Sequence, residues 1–413
     1  PHSARAQRSG LAPLLARLPL GRRTLVQMPF RETLRAPRRT LLTVLGIAGA
    51  IASFVVVLGM LDSWLGALGA GDDELARRAP DRLDVQLDGF VLDDAPAIAA
   101  ITGSPSVARA EAGLRLPATV RPVGVPVGDD EQEIDIVADV LDFERAMWTP
   151  TFIERADGPV EDGIVLAREA AVDLGVDVGD TVVLRHPRRE GVASYTLVDT
   201  EVRVSALHPH PLRVYAYVDV ANVDWFDLAG IANVVRVRPA PGVTADEVQR
   251  ALFSLDGVAW VQPISLTTEV IEDVLDDFIG ILRLLQGIVL ALALLIAFNS
   301  ASISVDERAR EQATMFAFGV RIRTVLAILL TESVLMGLLG TGLGIGLGFL
   351  TLRWVTDSLL SETMPEFGVD AVLTTGTVLL TVALGVLAVA IAPLFTLRRL
   401  RRMDVPATLR VLE

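Results

Sequence analysis

The chain has 413 residues, 51% hydrophobic and 5% aromatic, with 37 basic and 51 acidic side chains and a formal net charge of −14. It contains no cysteine, so no disulfide staples it and no thiolate can ligate a metal or attack a substrate. Every basic residue is arginine; without lysine no P-loop of the GxxxxGKS/T type exists in this sequence, so any ATP used with it is bound by another polypeptide.

Pro1–Phe30 carries proline and arginine without clear periodicity and reads as an internal boundary, the start of one part of a longer polypeptide. It lacks the short apolar core of a secretion signal. Four later segments are apolar over the roughly 20 residues that crossing a bilayer requires. Leu41–Leu61, Leu284–Val305 and Ala371–Leu397 hold no charge, and Thr324–Leu352 holds only Glu332. We expect four transmembrane helices, at 40–65, 278–305, 323–352 and 371–397, the first an uncleaved signal anchor.

Arginines border these spans on one side: Arg31, Arg35, Arg38 and Arg39; Arg308, Arg310, Arg321 and Arg323; then Arg398, Arg399, Arg401 and Arg402. Positive charge marks the cytoplasmic face. That predicts a cytoplasmic N-terminal segment 1–39, a cytoplasmic turn 306–322 and a basic cytoplasmic tail 398–413. The loop 353–370 is acidic and expected outside, as is 66–277. The latter holds 39 Asp and Glu against 17 Arg. The basic residues trace membrane borders, which gives no support to nucleic-acid binding.

The segment 66–277 reads as an extracytoplasmic α/β (α+β) domain inserted between helices 1 and 2. Strand patterns occur at Arg82–Gln86, Ala118–Arg121, Ile134–Val140 and Asn233–Arg238, and a short helix at Ala95–Ile101. Gly163–Leu184 reads strand, helix, Gly-Asp turn, strand. Thr244 with Glu247 predicts a capping box for a helix through Leu255. Gly257 and a strand at Val258–Val261 follow, a βαβ pattern. Thr267–Leu285 places Val270, Val274, Phe278 and Ile281 at helical spacing, a stalk running into the second span or a helix packed on the domain.

Candidate chemistry is sparse. His208-Pro-His210 is the one local histidine pair, and a proline-bearing loop explains it better than a metal. HExxH and GxSxG are absent, and we assign no catalytic residue, metal or cofactor to this chain. The third span carries Gly337, then Gly340, Gly344 and Gly348 four apart, with Gly342 and Gly346 as a second row; such stripes let helices approach closely in lipid. Two rows suggest two neighbours. Glu332 needs a partner or a wet position, and Asn299 can bond across to another helix. On a helix at 307–319, Glu307, Arg308, Arg310 and Glu311 form a charged face followed by Met315, Phe316 and Ala317, with Gly319 as a stop. Its acids disfavour a lipid anchor and favour docking into a soluble partner.

These residues resemble a known family. Asn299-x5-Val305-x-Glu307-Arg308-x-Arg310-Glu311-x3-Met315-x-Ala317-x-Gly319 resembles the signature of FtsX-like permeases of ABC systems, of the macrolide-exporter and lipoprotein-releasing type. Glu332 with its glycine ladder, Arg398–Arg410, Arg38–Thr43 and Gly163–Leu184 are similar to further family segments. Gln312, Ala313 and Phe316 depart from the pattern. The resemblance implies a cytoplasmic ABC ATPase that binds ATP and Mg and docks on 307–319, and a second permease unit. It also implies mechanotransmission to the outer domain, for export or extraction of a hydrophobic or lipidated substrate from membrane lipid, with an extracytoplasmic adaptor or cargo. A non-transporting subunit that regulates an outer partner such as a cell-wall hydrolase is the alternative, and a tethered binding protein without ATPase is a third reading.

Overall fold

A computed structural model describes residues 37–264 apart from 129–131 and 192–193, residues 320–387, scattered positions from 280 to 299, and Phe318. The chain divides into two compact units. The first is 1–63, 278–357 and 371–413; the second is 64–277 with 358–370. Helix α1, Pro37–Ala76, opens on a proline, which a first helical turn tolerates, and runs for 40 residues.

The second unit is built mainly of strands. They are β1 (Leu83–Leu92), β2 (Val107–Pro122), β3 (Ile134–Leu141), β4 (Glu154–Arg155) and β5 (Ile164–Ala167), separated in part by α2 (Pro96–Thr102). Helix α3 (Arg168–Leu174) precedes β6 (Thr181–Glu190), β7 (Ser194–His208), β8 (Tyr215–Asp219) and β9 (Ile231–Pro239); α4 (Ala245–Phe253) and β10 (Val258–Pro263) follow. The capping box forms as the sequence predicts: Glu247 N–H donates to Thr244 Oγ1, and Thr244 N–H donates to Glu247 Oε2 at 2.9 Å. The helix ends at Phe253, two residues early, as Ser254 turns to donate to Ala251 O at 2.8 Å.

One part has the strand order β10-β1-β9-β2. β1 pairs antiparallel with both β9 and β10 and so separates them. The strand–helix–strand pattern near the end of this domain is therefore split rather than paired, and it interlocks with β1–α2–β2 in a ferredoxin-like arrangement. Leu83, Val85, Ile101, Val235, Val248 and Leu252 are buried between the sheet and its two helices.

The far end of β2 enters a second sheet that closes on itself. β2 pairs β3, β3 pairs β8, β8 pairs β5, β5 pairs β7, β7 pairs β6, and β6 returns to β2. Leu114, Leu116, Ala118 and Val120 alternate inward along β2 and fill the interior with Ile136, Leu166, Leu184 and Val204. A barrel this narrow is packed by side chains. Expecting β2 only at Ala118–Arg121 missed this, because Arg109, Glu111 and Arg115 resemble interruptions. The segment 358–370 joins the unit through Leu212–Phe367 pairing, Gly368 N–H donating to Pro211 O at 2.8 Å, and Arg213 bonded to Glu366 at 3.2 Å.

The first unit contains α1 to Ser63, α5 (Ile322–Trp354) and α6 (Thr375–Leu387). Two helical stretches, Thr40–Ala76 and Thr324–Thr363, are long and apolar enough to cross a membrane; Thr375–Leu387 is a shorter apolar helix. The described positions between 280 and 299 are helical, and Ile281, Leu284, Ile288, Leu292 and Leu295 are exposed. Of the fourth expected span, residues 388–397 lie outside the described residues, as do most of the stalk and much of the second span.

Candidate functional site: a glycine seam and a buried charge cluster

Within the first unit, one glycine row of α5 lies against α1. A β-carbon at Gly340 would stand 2.7 Å from Ile47 Cγ2, one at Gly344 2.8 Å from Ala48 O, and one at Gly348 2.9 Å from Ala52 O. Each distance is shorter than van der Waals contact, so only glycine permits this approach. Ile47, Ile51 and Val55 are buried against the stripe, with Ile345 and Leu373 alongside. Gly337 continues the buried row. Gly342 and Gly346 differ: nothing described lies within 4 Å of a β-carbon there. Two interleaved rows at spacing four point in different directions, and one seam uses only one.

The rest of this unit is pinned by short polar contacts. Val372 N–H donates to Ser63 Oγ and Thr374 N–H to Asp62 Oδ2, each at 2.9 Å. Thr374 Oγ1 accepts from Thr377 N–H at 3.2 Å, capping α6. Glu332 is buried in α5 at 3% exposure, and Asn299 is exposed. Glu307, Arg308, Arg310, Glu311, Met315, Phe316, Ala317 and Gly319 lie outside the described residues.

The second unit holds a charge cluster that sequence reasoning missed. Register sets Asp84 opposite Arg236 and Arg115 opposite Asp139. Arg115 donates to Asp84 Oδ2 at 2.8 Å and to Asp139 Oδ2 at 3.0 Å, and Arg236 donates to Asp139 Oδ1. Burial disfavours ionised Asp139, yet Arg236 and Arg115 outweigh it and hold its carboxyl below the usual range. Asn233 locks β9 to β2, accepting from Arg115 N–H and donating to Arg115 O, both at 2.8 Å. Gly113 leaves room for Arg236, whose Nη1 would stand 2.6 Å from a β-carbon there. The available signal was a lone charge within a Val- or Ile-rich strand, as in Val234-Val-Arg236-Val.

His208 and His210 are structural. His208 Nε2–H donates to Tyr215 O at 2.9 Å, and its Nδ1 accepts from His210 N–H at 3.3 Å. His210 Nδ1 accepts from Leu212 N–H at 3.1 Å. Burial pushes their pKa values down to about 3 and about 4. No cluster of three metal-ligating side chains occurs among the described residues.

Comparison with known proteins bears on the seam. The family model for the FtsX-like permease C-terminal domain matches residues 283–405, a segment that contains α5, its glycine row and the expected docking turn. Over 231 residues the chain is 23% identical to an uncharacterised ABC transporter permease protein of Mycobacterium tuberculosis, Rv0987. That similarity covers 54% of this chain and 26% of the relative, so the chain spans about a quarter of the relative's length. It is also similar, at 11% identity and a TM-score of 0.29, to the crystal structure of the extracellular domain of the noncanonic ABC-type transporter YknZ from Gram-positive bacteria. This likeness covers 44% of the chain and 98% of the solved one. The glycine seam thus joins the FtsX-like segment to a helix, α1, that lies outside it in sequence.

Proposed function

We propose that this chain is the permease part of an ABC transporter, coupled to a separate cytoplasmic ATPase that binds ATP and Mg. The match of 283–405 to the FtsX-like permease domain carries the reading. In it both termini are cytoplasmic, 66–277 lies outside, and the ATPase grips 307–319 through Met315, Phe316 and Ala317 beside the charged face of Glu307, Arg308, Arg310 and Glu311.

The seam suggests how movement would travel. α5 follows the docking turn and meets α1 at backbone distance along Gly340, Gly344 and Gly348, so the two helices move together. α1 is one unbroken helix of 40 residues, about 60 Å long at 1.5 Å per residue, twice the hydrocarbon thickness. Its last turns sit in the second unit, where Trp148 Nε1–H donates to Glu74 O at 2.9 Å. A push on 307–319 would thereby reach the outer domain without passing through a pore, which suits lifting a hydrophobic or lipidated substrate from the bilayer. A second permease unit completes the complex in this reading.

Co-purification with the partner ATPase tests this directly. Met315→Asp and Phe316→Asp should abolish association while the protein still inserts. Undiminished association would remove the docking assignment, and vesicles that release no lipidated cargo on ATP addition would remove the substrate assignment.

A further inference from the structure

A cavity of about 120 Å³ opens in the second unit, close to the volume of four liquid waters. Arg82, Arg115 and Arg236 line it against Asp84 and Asp139, leaving one positive charge in excess. Asp139 is engaged by Arg115 and Arg236, and Asp84 Oδ2 by Arg115. Glu74 does not line this cavity; its Oε1 accepts from Thr151 N–H, and its buried Oε2 has no hydrogen-bond partner among the described residues.

Arg82 and Asp84 Oδ1 are the remainder. The Arg82 side chain is 3% exposed, and its Nε is ion-paired with Asp84 Oδ1 at 3.8 Å, beyond hydrogen-bond distance. Neither Nε nor Nη1 has a hydrogen-bond partner among the described residues. The guanidinium lies over the Trp148 ring, 4.7 Å from its centroid, which attracts its charge but satisfies no N–H. Burying donors unmade is costly, and guanidinium does not shed its proton to escape. The lining also includes Trp260, 39% exposed on β10.

We propose that this cavity binds a small monocarboxylate, one oxygen accepting from Arg82 Nη1 and its short apolar end lying against the tryptophan rings. One negative charge balances the lining; a dianion would overshoot it. The carboxylate could belong to a free acid or to the end of a peptide chain. This inference is independent of the membrane reading, since no residue of the first unit takes part.

Sodium acetate titrated into the detergent-solubilised full chain, followed by calorimetry, is the test, with sodium chloride at matched ionic strength as control. Saturable binding of acetate but not chloride is expected, weakened about tenfold or more by Arg82→Gln. Ile264→Trp, which fills the cavity and leaves every charge in place, should abolish binding with an unchanged far-UV circular dichroism spectrum. A trialanine titration separates the sources: binding assigns a peptide terminus, and its absence beside acetate binding assigns a free acid, and either supports the site. No saturable heat with acetate, an equal response to chloride, or full binding in both variants overturns it.

Discussion

The two units are held by different means. In the first, α1 and α5 meet through glycines, with a few hydroxyl and carboxylate contacts at Ser63, Asp62 and Thr374. In the second, a ferredoxin-like sheet and a closed barrel share β2, and the cores of both are branched aliphatic side chains around a knot of paired charges. In the proposed membrane reading the difference follows from solvent. Lipid gives helices no hydrophobic reason to associate, so close backbone contact has to supply the attraction. In water, burial supplies it, and buried charges must be paired. Substitutions should therefore fail by different mechanisms in the two units.

The largest expected effect is acid loss of the second unit. His208 and His210 are held neutral at about 3 and about 4, below the ordinary value near 6.5. The unfolded chain then binds more protons, so their contribution is complete above about pH 6.5 and drains as pH falls toward their folded values. Denaturant unfolding followed by tryptophan fluorescence should show stability falling from about pH 6.5 downward. A loss beginning only below about pH 4, where carboxylates titrate, would contradict this.

Next comes Asp139→Ala, which strands Arg236 and half of Arg115's hydrogen bonds in the interior. About 3–5 kcal/mol of the second unit's stability should go, measured by the same denaturation, with the first unit's packing unaffected. Gly344→Leu should follow at about 1–3 kcal/mol, because its β-carbon meets backbone at Ala48 as well as Ile51. Gly346→Leu, facing open space, is the control. Thermal unfolding in detergent that ranks the two equally would remove the seam. Thr244→Ala is the smallest, about 1 kcal/mol from one lost cap, read as a modest shift in denaturation midpoint.

Local signals were legible in the sequence where their physics is local. The Thr244–Glu247 box closes within four residues, and the β5–α3–β6 order at Gly163–Leu184 is written in its own periodicity and its Gly179-Asp180 turn. The Gly340, Gly344 and Gly348 stripe was visible too, but nothing in it named α1, some 300 residues earlier, as its partner. Pairings over such separations were not legible. β1 wedges between β9 and β10, and the barrel closes where β2 meets β6. Both depend on which distant strand arrives, and alternation within one strand is silent about that. The charge cluster was hidden for the same reason: Arg236 alone reads as a misplaced surface residue until Asp139 stands beside it.

The orientation of the proposed docking turn carries the account, and the absence of native cysteine makes it measurable with single introduced thiols. Gln312→Cys should resist a membrane-impermeant maleimide in intact cells and react after permeabilisation. Tyr195→Cys, at an exposed position on β7, should react in intact cells. Labelling at 312 in intact cells with protection at 195 would contradict the account.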